Sequence, residues 1–224
     1  MGSSAGPRAT ELREAHRERV ARNEVRASPL WARPCLAYNV QIELDPRAKA
    51  SLGKVQQSLH QAEPNLLACP PESLHVSVAW LLAVHVNYPA DKDSLWERYG
   101  EEWTTELNRI AAESLSFRIA YERVVATDSA VIVLAEPTEP VNRIRRMIRE
   151  RLRLPSETRN EADLVHTTLF RYRGPLSDPE KFLAMLDDMS ADAAAEVVEL
   201  VASKELVYPS MEAEVLARLS LASR

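Results

Sequence analysis

Two short stretches of the sequence combine a histidine with a hydroxyl side chain at the same spacing. One is Leu74-His75-Val76-Ser77-Val78, and the other is Val165-His166-Thr167-Thr168-Leu169. Each begins and ends on an apolar residue, which is typical of a partly buried β-strand. The repeated spacing predicts two equivalent sites that lie in different halves of the chain.

Side chains on a β-strand alternate between its two faces. His75 and Ser77 should therefore share one face of the first strand, with Trp80 on the opposite face. His166 and Thr168 should share a face of the second strand in the same way. The sequence thus predicts two pairs, each made of one imidazole and one hydroxyl group.

Two imidazoles and two hydroxyl groups suit the chemistry of a phosphate ester. An imidazole has a reference pKa of about 6.5, so it can accept or donate a proton near neutral pH. Cleavage of a phosphodiester needs one group that takes a proton from the nucleophile and another that protonates the leaving oxygen. His75 and His166 can fill these roles, in either order, while Ser77 and Thr168 donate to the phosphate oxygens. This chemistry needs no metal and no cofactor.

The rest of the chain predicts the elements that position these pairs. The expected order is strand, helix, histidine strand, helix, two strands, helix, histidine strand, helix and two strands. It indicates an α+β fold with two antiparallel or mixed sheets facing a central groove, helices outside, and an approximate internal duplication. We expect the histidine strands over residues 74–84 and 164–172, and a closing pair of strands over 196–207 and 212–221.

Composition limits the class of protein. The formal net charge of −5 argues against a general polyanion binder, which would carry a basic surface. Cys35 and Cys69 are too few for a disulfide framework, and neither a signal peptide nor a membrane-spanning apolar run is evident, so we expect a cytoplasmic protein. Residues 1–28 are expected to form a flexible tail and a peripheral helix, and residues 29–224 a single bilobal domain, with a monomer as the expected state.

The two motifs resemble the paired His-x-Thr/Ser-x motifs of the two-histidine (2H) phosphoesterase superfamily, which includes 2′-5′ RNA ligases and RNA 2′,3′-cyclic phosphodiesterases. The resemblance extends over about residues 36–221 and implies a bilobal fold with a pseudo-twofold axis. It also implies that His75 and His166 are catalytic and that Ser77 and Thr168 hold the phosphate. Threonine is commoner than serine at the first hydroxyl position, but Ser77 keeps the hydrogen-bond donor.

The residues and the resemblance together predict a metal-independent phosphodiesterase that opens a 2′,3′-cyclic phosphate on a nucleotide or an RNA end. Two alternatives stay open. One is a 2′-5′ RNA ligase, in which the same histidines act by microscopic reversibility; the overall acidity favours a small substrate over this alternative. The other is a non-catalytic module that binds a nucleotide or a 2′-phosphate, against which the presence of both histidines argues.

A few other residues have weaker predicted roles. Tyr172 has the parity of His166 along the strand and is a candidate for stacking on a base, as is Tyr208. Asn39 and Gln41 are candidates for the groove floor. Arg171 and Arg173 can supplement the phosphate site.

A predicted helix over residues 141–152 is rich in arginine. We expect these arginines to form a solvated outer face, with a contact to an RNA backbone as the alternative. The set, with one residue beyond the helix, is Arg143, Arg145, Arg146, Arg149, Arg151 and Arg153.

Overall fold

The structure of the protein is a computed structural model that describes residues 7–158 and 164–223, with side chains described from residue 14 onward. These residues form five α-helices and nine β-strands. In chain order they are α1 (Pro7–Ala21), β1 (Pro34–Glu43), α2 (Pro46–Ala62), β2 (Leu66–Ala68), β3 (His75–Leu82), α3 (Lys92–Ala112), β4 (Phe117–Ala126), β5 (Ala130–Glu136), α4 (Glu139–Arg151), β6 (His166–Tyr172), α5 (Pro179–Asp187), β7 (Ser190–Val197), β8 (Glu199–Val207) and β9 (Glu212–Ser220).

The strands form two sheets, and within each sheet all neighbouring strands are antiparallel. One sheet has the order β3-β1-β8-β9, and the other has the order β2-β6-β5-β4-β7. The first histidine strand, β3, is at the edge of the four-stranded sheet, and the second, β6, lies inside the five-stranded sheet. The predicted α+β fold of two sheets is confirmed, and each sheet supplies one motif.

Capping residues determine where helix α2 begins. Asp45 caps the helix, and its Oδ1 accepts a hydrogen bond from the N–H of Ala48 at 2.8 Å, with Pro46 in the first turn. Leu52 and Leu59 are fully buried on the inner face of the helix. This cap and this apolar face fix the connection that leads from β1 towards the first histidine strand.

Three strands close the chain instead of the two that the sequence predicts. Residues 190–197 form β7, an edge strand of the five-stranded sheet, and β2 forms the other edge. Ala191 and Ala195 are buried on the inner face of β7. Alanine has a low preference for strands, so local pattern does not reveal this element; its pairing with β4 creates it.

The N-terminal segment packs on the five-stranded sheet close to the second histidine strand. Arg17 of α1 pairs with Asp187 at 2.9 Å. Arg19 and Arg26 both pair with Asp128, at 2.9 and 3.0 Å, in the turn between β4 and β5. The two pairs with Asp128 hold the β4–β5 hairpin, and its strand β5 is the neighbour of β6.

Buried apolar residues from both sheets and from the helices form the main core. Its largest fully buried side chains include Trp103, Tyr38, Tyr172 and Phe170. Among the helices that the structure describes, none combines the length and the apolar character that a membrane span requires.

Candidate active site

Both histidine strands contain a β-bulge at the same place relative to their histidine. In β3 the extra residue is Val78, and in β6 it is Leu169; each follows its histidine by three positions. A bulge interrupts the alternation of side chains between the two faces of a strand. The internal duplication therefore includes this irregularity as well as the order of the elements.

The two bulges bring one further side chain of each strand to the histidine face. Trp80 and Arg171 each follow their histidine by five positions, and both line the same cleft as the histidines. Strict alternation predicted that Trp80 lies on the opposite face, and this prediction is wrong because of the bulge at Val78. The predicted position of Arg171 near the phosphate site agrees with its place in the cleft.

Tyr172 and Asn39 lie in the interior instead of the groove. The bulge in β6 turns Tyr172 inward, where it is fully buried and its hydroxyl donates to the carbonyl of Thr127 at 2.9 Å. Asn39 is buried and accepts a hydrogen bond from the Ser203 hydroxyl at 2.7 Å. The predictions that Tyr172 stacks on a base and that Asn39 lines the groove are therefore wrong.

One cleft between the two sheets contains all four predicted site residues. It has about 60 Å³ of free space, enough for a group of the size of phosphate, and adjoins a cavity of about 200 Å³ that Gln41 lines. Its described lining residues are Cys69, Ser73, His75, Ser77, Trp80, His166, Thr168, Arg171, Glu205, Tyr208, Pro209 and Ser210.

A hydrogen bond joins the two histidine strands directly. The hydroxyl of Thr167, on the face of β6 opposite His166, donates to the backbone carbonyl of His75 at 3.0 Å. The same hydroxyl lies 2.8 Å from the hydroxyl of Tyr121, which donates to it. Thr167 therefore fixes the relative position of the two motifs from behind the cleft.

The backbone holds His75 in one tautomer. Its Nδ1 lies 2.8 Å from the Ser73 carbonyl, which can only accept, so Nδ1 carries the proton. In the neutral ring, Nε2 is then an acceptor, and the Ser77 hydroxyl donates to it at 3.1 Å. Burial lowers the pKa of His75, and the Ser73 carbonyl opposes this effect. The first motif therefore presents a neutral imidazole whose basic nitrogen is next to its own hydroxyl partner.

His166 lies in a stronger positive field. Burial, followed by the charges of Arg145 and Arg171, lowers the pKa of His166 to about 4. Leu164 occupies the place that Ser73 has in the first motif, but its carbonyl accepts a hydrogen bond from Arg145 at 3.0 Å. No described residue forms a hydrogen bond with Nδ1 of His166. At neutral pH this imidazole is uncharged unless an anion in the cleft offsets the two guanidinium groups.

Arg145 on α4 lies behind the cleft and is buried. Its Nη2 donates to the Ser77 carbonyl at 2.8 Å, and its Nε donates to the Val78 carbonyl at 2.9 Å. Because β3 is a sheet edge, these carbonyls need partners from outside the sheet. The same guanidinium binds the Leu164 carbonyl, so it clamps the bulge of β3 to the start of β6. The prediction of a solvated face is wrong for Arg145, whereas Arg143 and Arg146 are exposed.

Replacement of Arg145 by lysine is expected to destabilise the fold by about 3 kcal/mol or more, because an ammonium group cannot reach all three carbonyls and leaves buried acceptors unpaired. Chemical denaturation monitored by tryptophan fluorescence measures this loss. The matched control is Arg143→Lys on the exposed face of the same helix, which should change the unfolding free energy by less than about 0.5 kcal/mol. Equal effects of the two substitutions would contradict the clamp.

The pKa of His166 predicts a loss of stability in acid. Its folded-state pKa of about 4 lies below the ordinary value of 6.5, so the unfolded chain binds the proton more readily. The contribution of the neutral ring is complete above pH 6.5 and declines by roughly 2–3 kcal/mol as the pH falls to 4. His166→Gln should therefore have a flatter dependence of unfolding free energy on pH between 6.5 and 4.5. His60→Gln, at an exposed position on α2, should keep the original slope.

The C-terminal end of β8 closes the cleft beside Arg171. The guanidinium carbon of Arg171 lies 5.5 Å from the centre of the Tyr208 ring, and the ring of His85 meets the same tyrosine edge-on at 5.8 Å. Tyr208 therefore lies at the cleft, in agreement with its predicted place, but it already contacts two protein side chains. His85 is part of this aromatic contact.

Sequence reasoning missed Glu205, Cys69, Ser73 and Ser210 as cleft residues. Cys69 and Ser73 lie shortly before the first motif, Glu205 lies on β8 and Ser210 follows that strand, and none of the four belongs to the pattern that repeats between the halves. The bulges do leave a signal in the sequence, because the hydroxyl residue of each motif is followed by two adjacent apolar residues that break the alternation. These are Val78-Ala79 and Leu169-Phe170.

The chain shares its fold with several solved structures, and this fold agrees with the bilobal fold that the resemblance of the two motifs implies. Its structure is similar to that of TT0787 from Thermus thermophilus, with a TM-score of 0.60, 16% sequence identity and coverage of 84% of this chain and 99% of the other. It is also similar to E. coli LigT complexed with phosphate, with a TM-score of 0.59, 12% identity and coverage of 84% and 99%.

A third similar structure is a conserved protein of unknown function, ATU0111, from Agrobacterium tumefaciens. Its TM-score is 0.59 at 13% identity, over 89% of this chain and 97% of that one. No protein-family model and no curated protein sequence matches the chain. The likeness therefore establishes the fold and not the chemistry.

Proposed function

We propose that the protein is a metal-independent phosphodiesterase that opens a 2′,3′-cyclic phosphate on a nucleotide or a short RNA end and leaves a 2′-phosphate. The observation that carries the proposal is the meeting of two histidines, two hydroxyl groups and one arginine in a cleft of phosphate size. A cyclic phosphodiester requires a proton acceptor, a proton donor and donors for its non-bridging oxygens, and these residue types supply all three.

The surroundings of the two rings suggest which one donates the proton. The Ser73 carbonyl accepts the Nδ1 proton of His75 at 2.8 Å, whereas Nδ1 of His166 has no hydrogen-bond partner among the described residues. Arg171 lowers the pKa of both histidines, and Arg145 lowers that of His166 further, against a smaller opposite effect of the Leu164 backbone. When the cleft holds one proton on its two imidazoles, that proton therefore belongs on His75. We assign His75 as the acid that protonates the leaving ribose oxygen and His166 as the base that takes a proton from the attacking water.

The remaining cleft residues hold the phosphate. Protonation of His75 at Nε2 removes the acceptor of the Ser77 hydroxyl, which is then free to donate to a phosphate oxygen. Thr168 offers the corresponding hydroxyl from the second motif, and Arg171 supplies positive charge and further donors. The anion in turn offsets the charges of Arg145 and Arg171, which raises the pKa of both histidines towards neutrality.

Features of the cleft favour hydrolysis of a small substrate over ligation of RNA. Among its described lining residues, Arg171 is the single one with a permanent positive charge. A ligase must hold two RNA ends, each with a charged backbone, and would be expected to present several cations around its site. The net charge of the whole chain is also negative, at −5.

The direct test is incubation of the purified protein with 2′,3′-cyclic AMP, with separation of the 2′- and 3′-phosphate products by chromatography. We expect 2′-AMP as the product and an unchanged rate in the presence of EDTA. Loss of activity with EDTA would point to a different mechanism. Binding without turnover would favour the non-catalytic module, and joining of RNA ends under the same conditions would favour the ligase.

A further inference from the structure

Glu205 is a buried carboxylate in the cleft that the proposed acid–base chemistry does not use. It lies on β8 and is 1% exposed. Its Oε1 accepts a hydrogen bond from the backbone N–H of Ser210, a residue in the left-handed conformation with φ of 49°. No described residue donates to its buried Oε2. An unpaired buried carboxylate oxygen is costly, so this atom is suited to a donor brought by a ligand.

Arg171, in the same cleft, has a buried hydrogen-bond donor, Nε, without an acceptor among the described residues. Burial raises the pKa of Glu205, while hydrogen bonds from Ser210 and the charge of Arg171 oppose this effect. Glu205 Oε2 and Arg171 Nε are not bonded to each other. A ligand that offers an acceptor to Arg171 and a donor to Glu205 would satisfy both atoms at once.

The surroundings of the cleft indicate what this ligand can be. About 60 Å³ of free space holds a phosphate beside the histidines, and a cavity of about 200 Å³ adjoins it. A ribose with a phosphate on one carbon and a hydroxyl on the next presents an acceptor and a donor on adjacent atoms. Opening of a cyclic phosphate generates this pair of groups.

We propose that Glu205 Oε2 accepts a hydrogen bond from the ribose hydroxyl that opening of the cyclic phosphate frees next to the 2′-phosphate, and that Glu205 therefore selects a 2′-nucleotide with this 3′-hydroxyl over its 3′-deoxy analogue. The inference rests on the proposed function because it places the nucleotide phosphate at the histidines and Arg171. It adds a specificity-determining residue that neither histidine motif contains. A site built to bind a hydroxyl rejects an analogue without one, because its own polar group is then left unpaired.

Glu205→Gln is a sharp test because the protein itself orients the new amide. The Ser210 N–H requires an acceptor, so the amide oxygen of the glutamine should face Ser210 and its NH₂ group should face the cleft. The substitution thus replaces the free acceptor by a donor of the same shape. Glu212→Gln, at an exposed position at the start of β9, makes the same change of charge outside the cleft and is the matched control.

The measurement is the ratio of dissociation constants for 2′-AMP and 3′-deoxyadenosine 2′-phosphate by calorimetry. We expect the unmodified protein and Glu212→Gln to bind 2′-AMP roughly tenfold or more tightly. Glu205→Gln should reduce this ratio to near one. A ratio near one in the unmodified protein, or one that Glu205→Gln leaves unchanged, would overturn the proposal, and the first result does not depend on folding of the variant.

Turnover separates this inference from the proposed function. Hydrolysis of 2′,3′-cyclic AMP without selectivity for the hydroxyl in the binding assay would overturn the role of Glu205 and leave the phosphodiesterase intact. Selective binding that Glu205→Gln abolishes, without turnover of any cyclic nucleotide, would support the role of Glu205 and overturn the hydrolytic reaction. Absence of binding for both nucleotides would overturn the inference.

Discussion

Replacement of His75 or His166 by alanine is expected to lower the rate of cyclic phosphate hydrolysis by roughly 10²–10⁴-fold in each case. Each substitution removes one of the two proton transfers that the reaction needs, while the hydroxyl groups and Arg171 remain to bind the phosphate. The loss should therefore fall mainly on kcat, with a smaller change in KM. Steady-state kinetics on 2′,3′-cyclic AMP measures both constants.

A double substitution tests whether the two histidines act in the same step. Because both rings act in one transition state, the double variant should lose less than the product of the two single losses. His60→Ala is the control, since this histidine is exposed on α2 and away from the cleft. A rate within a few fold of the unmodified protein for either His75→Ala or His166→Ala would contradict the paired mechanism.

Replacement of Arg171 by methionine is expected to lower kcat/KM by roughly 100-fold, because the phosphate loses a charge-assisted set of donors in a partly buried cleft. The substitution should also raise the pKa of His166, since Arg171 is one of the charges that lower it. Arg171→Lys keeps the charge but loses the planar fork, and an intermediate rate is expected. The kinetics, together with the pH dependence of kcat/KM, measure both effects.

Arg173 offers a matched control for this prediction. It follows β6 by one position and is exposed, whereas Arg171 lines the cleft. Arg173→Met should leave both the rate and the pH profile nearly unchanged. If Arg171→Met and Arg173→Met reduced activity equally, the effect would come from the general charge of the surface and not from a contact with phosphate.

The structural features that depend on local pattern could be predicted from the sequence. The alternation of residues predicted both histidine strands, and the order of the elements predicted a central groove between two sheets. The alternation is short in range, so its physics is visible in a few neighbouring residues.

The parts that sequence reasoning missed depend on tertiary contacts. The bulges change the face of Trp80 and Tyr172 only because the partner strands fix the register. Arg145 is buried because β3 is a sheet edge whose carbonyls need donors, a fact that the arginine-rich pattern of α4 does not reveal. Glu205 reaches the cleft through the pairing of β8 with β1, far along the chain from either motif.

The central claim is that one phosphate binds between His75 and His166. It is tested most directly by following the imidazole ¹⁵N signals of all histidines during a titration with inorganic phosphate near pH 6. We predict that the signals of His75 and His166 shift together with one dissociation constant and move towards the protonated form, while the signal of His60 stays in place. A shift of one of the two rings alone, or of neither at saturating phosphate, would contradict the shared site.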